Sequence, residues 1–307
     1  VLIDIGASGG LHNEWKRIAK YSVCIAFDGD DREMGVTSAS GGSFKQLHVF
    51  HSLVSDTAEP ETNFNLTASP FCSSTLKPDE AALEPWAFAN LFKVEKIVRQ
   101  KCVTLQHVLD SLKIGRIDWF KTDAQGIDLR LFKSLPEPVR ERVLVADFEP
   151  GIIEVYTGED KLPDLLKFME GTAFWLSDLR LDGTQRMRRA DVEKYFGPGE
   201  SRRFRYGLKK SPCYGEASYI NSLRNAELFS KRDLMLAYVL ATVKRQYGFA
   251  YEIAGTGRKR FQDEIFAAMA DEAIGAMKIG FPKLALHALY RAVNKLFRMA
   301  GVGEVRQ

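Results

Sequence analysis

Cysteine is scarce in this chain: Cys24, Cys72, Cys102 and Cys213 are the only four in 307 residues, and no two form a CxxC pair. Spacing that wide argues against a zinc-finger framework or a dense set of disulfides, and fits the reduced thiols of a cytoplasmic protein. Histidine is equally sparse, with five in all. His48 and His51 sit three apart in a strand-like run and so point to opposite faces. Nothing in the sequence calls for a metal. Long apolar runs are missing too. The longest mostly apolar stretch, residues 234–243, falls far short of the roughly 20 residues that a membrane-spanning helix needs. No targeting segment is visible, although the chain opens at Val1 inside a strand-like run, which leaves open what precedes it. Internal repeats and low-complexity tracts are absent.

What is present is ordinary globular composition, 45% hydrophobic and 27% charged, enough for one large domain with an appendage. The net charge of +3 conceals an asymmetry. Residues 1–200 carry 24 Lys/Arg against 31 Asp/Glu, whereas residues 201–307 carry 19 against 9. An acidic part and a basic part of one chain are expected to meet different partners.

Strand-like runs at 1–5, 23–27, 47–54, 117–121 and 143–148 alternate with helical patterns at 11–20, 78–91, 105–112, 127–135 and 161–169. Alternation of this kind predicts an α/β fold with a doubly wound, mostly parallel sheet. Two later strands are predicted at 174–181 and 217–221. The polar, Arg-rich stretch between them, 182–214, is long for a loop in a compact domain and reads as a variable, acceptor-side segment. Beyond residue 226 the pattern is helical, with Ser230 as an N-cap and helices expected at 230–247, 259–279 and 282–300. The division expected is a ligand-binding domain over 1–225 and a basic helical extension over 226–307.

The first run that carries chemistry is Asp4-Ile5-Gly6-Ala7-Ser8-Gly9-Gly10, directly after a strand. A glycine-rich turn there lets a ligand approach the backbone closely. Phe27-Asp28 then supplies a carboxylate about 20 positions on, able to accept both hydroxyls of a ribose. Dinucleotide and S-adenosyl-L-methionine (SAM) sites both use that device. The GxGxxG spacing of the former is absent, and Asp4 is placed as the residue that faces the methionine end of SAM. Ser55-Asp56, after the third strand, is placed to bond an adenine amino group.

These motifs resemble the FkbM-type methyltransferases. The family's D-x-G-A-N-x-G is similar to residues 4–10, with Ser8 in place of asparagine, and its A-F-E-P resembles Ala26-Phe27-Asp28-Gly29. Its S-D matches Ser55-Asp56, and its S-S-L resembles Ser73-Ser74-Thr75-Leu76. Its T-L-D-x-L and I-D-x-x-K-x-D-x-E-G-x-E resemble Thr104-Leu105-Gln106-His107-Val108-Leu109 and the run from Ile117 to Asp128. The resemblance extends over about residues 1–180. It implies a Rossmann-like fold and O-methylation of a glycan or other small metabolite by SAM, with S-adenosyl-L-homocysteine as product. The cofactor residues implied are Asp4, Gly6, Ala7, Ser8, Gly10, Asp28, Asp56 and Ser74. Gln125 stands where the family commonly has glutamate, and Asp128 where it has a second one. A glutamine there would disable an essential base but would serve to position a loop. The alternative function is therefore a non-catalytic relative that binds a partner or an anionic surface.

Methyl transfer to an alcohol needs a group within hydrogen-bond reach to take the proton. Asp123 ends the fourth strand at the carboxyl edge of the sheet, where such folds bind ligands. It is the first candidate base, with Lys121 holding it or the acceptor and Glu149, after the fifth strand, next. The acceptor is expected to be a small molecule or glycan; no nucleic-acid partner is expected. In the last predicted helix, Lys283, His287, Arg291, Lys295 and Arg298 form a stripe without acids opposite an apolar face. Such a helix either packs with its basic face in water or lies peripherally on an anionic surface.

Overall fold

A computed structural model of the chain describes residues 1–8, 10–30, 32, 43–197, 204, 207–278, 290 and 295. The chain divides into two compact units, Val1–Val192 with Lys210–Phe229, and Glu193–Lys209 with Ser230–Gln307.

The first unit is built on a seven-stranded sheet. Its strands are β1 (Leu2–Ile5), β2 (Val23–Phe27), β3 (Gln46–Phe50), β7 (Trp119–Thr122), β8 (Val145–Phe148), β9 (Phe174–Thr184) and β10 (Ser211–Asn221), in the order β3-β2-β1-β7-β8-β10-β9. The first five pair in parallel, while β10 runs antiparallel to both β8 and β9. The predicted α/β, mostly parallel fold is therefore the one found. β1, β2, β7 and β8 are short apolar strands buried between layers, as continuous runs of branched and aromatic residues dictate. One face packs against α2 (Leu105–Ser111), α3 (Asp128–Ser134) and α5 (Leu162–Glu170), where Phe120, Phe132, Phe148 and Phe174 form an edge-to-face cluster. α2 starts at Thr104, whose hydroxyl accepts from His107 N at 3.2 Å.

Several expectations are corrected. The predicted helix at 11–20 is two 3-10 turns, Asn13–Arg17 and Ala19–Tyr21, broken at Ile18 and begun by His12 without a side-chain cap. The predicted strand at 47–54 splits: β3 stays in the large sheet, and β4 (Leu53–Val54) leaves it for a three-stranded sheet with β5 (Glu61–Thr67) and β6 (Val94–Val103). The helix expected over 78–91 is interrupted at Pro85, which has no N–H to donate to the turn before it. Only α1 (Glu80–Leu83) and a 3-10 turn at Ala89–Phe92 remain. The stretch 182–214 begins and ends in strand, since β9 and β10 pair out to Thr184 and Ser211. It also holds α6 (Arg189–Phe196), which follows the short α4 (Glu137–Arg140) in chain order.

In the second unit, Ser230 and Asp233 form a reciprocal capping box at the start of α7 (Lys231–Val243). α8 (Tyr247–Phe261), which was not predicted, ends at Gln262 in the left-handed region, and Asp263 caps α9 (Glu264–Met277). Gly257 lets α8 meet α9 closely, because a Cβ there would lie 2.2 Å from the Phe266 ring. The helix predicted over 282–300, with its basic stripe, lies outside the described residues apart from isolated positions 290 and 295. Among the described residues no helix is long and apolar enough to cross a membrane.

Candidate active site

The strand order reverses between β1 and β7, and the crevice beyond their carboxyl ends is where such sheets take ligands. The turn after β1 approaches the turn after β7 so closely that a Cβ on Gly6 would lie 2.0 Å from the Asp123 carbonyl oxygen. Gly6 also adopts φ +78°, a conformation glycine tolerates and other residues resist. Its amide and that of Ala7 both donate to the Phe27 carbonyl, at 3.0 and 3.1 Å, which ties the turn to the end of β2.

On the β2 side lies a cleft of about 80 Å³ lined by Gly6, Ser8, Asp28, Asp30 and Asp123 among polar residues, and by Phe27, Val54, Phe64 and Ile127 among apolar ones. The Asp28 carboxylate accepts from Ser8 Oγ at 2.6 Å and from Asp30 N at 2.8 Å. Beside it a network that the sequence did not reveal ties this loop to the small sheet. Asp30 pairs with Arg32 at 2.7 Å and accepts from Ser73 Oγ at 3.0 Å, and Arg32 Nη1 donates to the Thr67 carbonyl at 2.8 Å.

On the β8 side lies a second cavity of about 370 Å³, bounded by Asp123, Gln125, Glu149, Tyr156, Glu159 and Tyr214 together with Phe88 and Phe92. The two share Phe71, Asp123 and Gln125. Their common wall is thus the loop that carries the first candidate base. A groove of about 690 Å³ near the amino end of β8, lined by Phe132, Arg140, Phe168 and Phe229, is larger but contains none of the candidate residues.

Gln125 is held in the left-handed region at φ +53°. Its Nε2 donates to Asp123 Oδ1 at 2.5 Å, while its Oε1 accepts from the Tyr156 hydroxyl at 3.0 Å. A carboxylate could not make the first of these bonds, so the amide suits the task of aiming Asp123. Asp128, buried at the start of α3, accepts from Ala124 N at 3.1 Å and is pushed up to about 6 by burial and by the neighbouring Asp123. Glu149 is raised further, by burial first and then by Asp123, to which it is hydrogen-bonded. It therefore keeps its proton at neutral pH and presents a donor beside the Asp123 carboxylate.

That shift makes a prediction. Above the ordinary glutamate range the unfolded chain has lost this proton while the folded one retains it, so stability falls as pH rises, by up to about 1.4 kcal/mol per unit from this one group. Glu149→Gln removes the dependence. Its thermal midpoint is expected to exceed the parent's by more at pH 8 than at pH 5, read by calorimetry; an offset that is the same at both pH values would show Glu149 to be ionised when folded.

The remaining candidates are dispersed. Asp4 is fully buried within the sheet, away from both cavity walls. Its Oδ1 pairs with Lys121 Nζ at 2.8 Å, and Lys121 also reaches the Gly6 carbonyl at 3.3 Å. Burial would lower the Lys121 pKa, but Asp4 and Asp123 outweigh it and hold the ammonium charged. Lys121 therefore supports the Gly6 and Asp123 turns from behind rather than lining a cavity. Ala7 is buried, and Gly10, at φ +129°, faces open space. Ser74 is consumed by structure, donating to the Gln125 carbonyl at 2.7 Å and accepting from Leu76 N at 3.0 Å. Asp56 is exposed and lines neither cavity; Ser55 beside it accepts from Thr57 N at 3.1 Å. Asp147 accepts from Trp119 Nε1 at 2.7 Å and from Ser218 Oγ at 2.5 Å. Among the described residues one trio, His12, Glu14 and Asp147, brings potential metal-ligand atoms within 4.8 Å of one another, and His12 and Glu14 already hydrogen-bond at 3.1 Å.

The match to known families falls on this architecture. Residues 54–176 match the family model of the methyltransferase FkbM domain. The matched span runs from β4 through the Asp123 loop and Glu149 to the start of β9, so it contains most of the larger cavity's lining. No curated protein and no solved structure matches the chain.

Proposed function

We propose that the protein transfers a methyl group from SAM to a hydroxyl of a glycan or another small metabolite, leaving S-adenosyl-L-homocysteine. The observation that carries this reading is the pair of cavities meeting at Phe71, Asp123 and Gln125 within a methyltransferase fold. The residues of the smaller cleft fit a nucleoside: a backbone turn at Gly6 without a side chain in the way, a carboxylate at Asp28 of the kind that accepts from ribose hydroxyls, and apolar walls for a base. When bound, SAM supplies a sulfonium whose methyl carbon is open to in-line displacement. The cleft is smaller than the roughly 300 Å³ of ordinary ligand sites, so its wall must move to admit the whole cofactor. Phe71, 53% exposed between the cavities, has the room to do so.

On the acceptor side, Asp123 takes the hydroxyl proton as the new C–O bond forms, and Gln125 fixes its orientation. Protonated Glu149 donates to Asp123 and so helps to hold that carboxylate in place, and Lys121 balances the charge beneath the loop. The test on the donor side is Asp28→Ala. Losing a charge-assisted bond of this kind costs about 1.5–3 kcal/mol, so SAM affinity is expected to fall roughly ten- to a hundredfold with the fold unchanged by circular dichroism. A variant that binds SAM as tightly as the parent would remove Asp28 from the site.

A further inference from the structure

The larger cavity has a chemical bias of its own. One wall is a contiguous aromatic surface: Phe88 and Phe92 lie 5.1 Å apart by ring centroid, and Phe92 meets Tyr156 edge-on at 5.8 Å. Its ionisable acids are Asp123, Glu149 and Glu159, its neutral polar groups include Gln125, Thr184 and Tyr214, and among the described residues that line it there is no lysine, arginine or histidine. Of the cations close by, Lys121 is engaged by Asp4 and Lys161, beside Glu159, pairs with Glu154 at 3.4 Å. Glycine makes room for one of these acids. A Cβ on Gly151 would lie 2.7 Å from the Glu159 carboxylate, which itself accepts from Val155 N at 2.7 Å.

The acids of this lining, with no base among them, disfavour a negative charge. An anionic ligand would meet carboxylates and the electron-rich faces of aromatic rings in a space with little water to screen them. A neutral ring can lie on the aromatic wall without charge repulsion and donate from a hydroxyl to the acids beside it. An ammonium is drawn both to the ring faces and to the acids. We propose that this cavity admits uncharged or cationic ring-bearing acceptors and rejects anionic ones such as phosphorylated, uronate or carboxylate compounds. The proposal rests on the methyl-transfer reading for the word acceptor, but its charge selection is a property of the cavity alone.

The probes that test it are benzyl alcohol, benzylamine and benzoate, which share one ring and differ in charge. With the full chain carrying fluorinated phenylalanine, the ¹⁹F resonance of Phe92, assigned by its loss in Phe92→Leu, reports this cavity and neither of the others. Benzyl alcohol and benzylamine are expected to shift that resonance saturably, with benzoate at least tenfold weaker. Glu159→Gln, which keeps the acceptor for Val155 N, is expected to narrow the gap. A smaller difference between benzoate and the alcohol in the parent, or a Phe92 resonance that responds to none of the three, would overturn the proposal. A separate SAM titration distinguishes the two readings. Failure of SAM to bind with the charge order intact would remove the methyl-transfer reading and leave the cavity's selectivity; SAM binding with benzoate accepted would do the reverse.

Discussion

Asp123→Asn is expected to lower turnover on a competent acceptor by about 10²- to 10⁴-fold, the usual contribution of a positioned general base. The substitution keeps shape and the capacity to accept from Gln125 Nε2, now 2.5 Å away, but removes basicity. SAM affinity should change less than threefold, because the groups that fit a ribose are at Gly6 and Asp28. The split between turnover and cofactor binding is what separates a base from a merely structural residue. Steady-state kinetics beside a cofactor titration would show it. Turnover near the parent rate would place the base elsewhere. Glu149, which shares the cavity, could serve only after giving up the proton that it holds toward Asp123.

Gly6→Ala should be the most damaging single-methyl change in the first unit. The positive φ of +78° costs an L-residue about 1–2 kcal/mol, and the added Cβ would lie 2.0 Å from a backbone carbonyl that cannot rotate away. Either β1 or the Asp123 loop must shift. The expected loss is about 3–5 kcal/mol, at the upper end for point substitutions, with SAM binding lost even where the variant folds. Denaturant unfolding measures the first part and titration the second. A variant within about 1 kcal/mol of the parent would mean that the two turns are not in contact in solution. Gly10→Ala is the internal comparison: it also has a positive φ but nothing within 4 Å.

Some of this architecture is legible in the sequence because it obeys local rules. β1, β2, β7 and β8 are apolar runs buried on both faces, and Gly6 and Asp28 stand where a strand meets a turn. β5 and β6 are hidden because they pair with each other at the surface, and β6 exposes Glu95, Lys96, Arg99 and Lys101 in place of an apolar alternation. α8 is hidden by Gly248, Gly255 and Gly257, each unfavourable in a helix, although Gly257 is required by its contact with Phe266. The site divides in the same way. Asp123 and Glu149 follow from being at strand ends. The Tyr156–Gln125 bond joins residues 31 apart, and the aromatic wall is assembled from the Phe88–Phe92 segment and Tyr156. No local pattern reports such a contact. Asp4, expected at the strand's end to face a ligand, lies opposite Lys121 in the sheet register and pairs with it, a contact between residues far apart in sequence.

The central claim is that the crevice between β1 and β7 is a methyl-donor site, and calorimetric titration of the intact chain with SAM and with S-adenosyl-L-homocysteine tests it most directly. Saturable binding of both at about micromolar affinity, near one per chain, is the predicted result. No heat and no saturation with a protein shown to be folded would contradict it, and would leave the fold as a binding module without a cofactor.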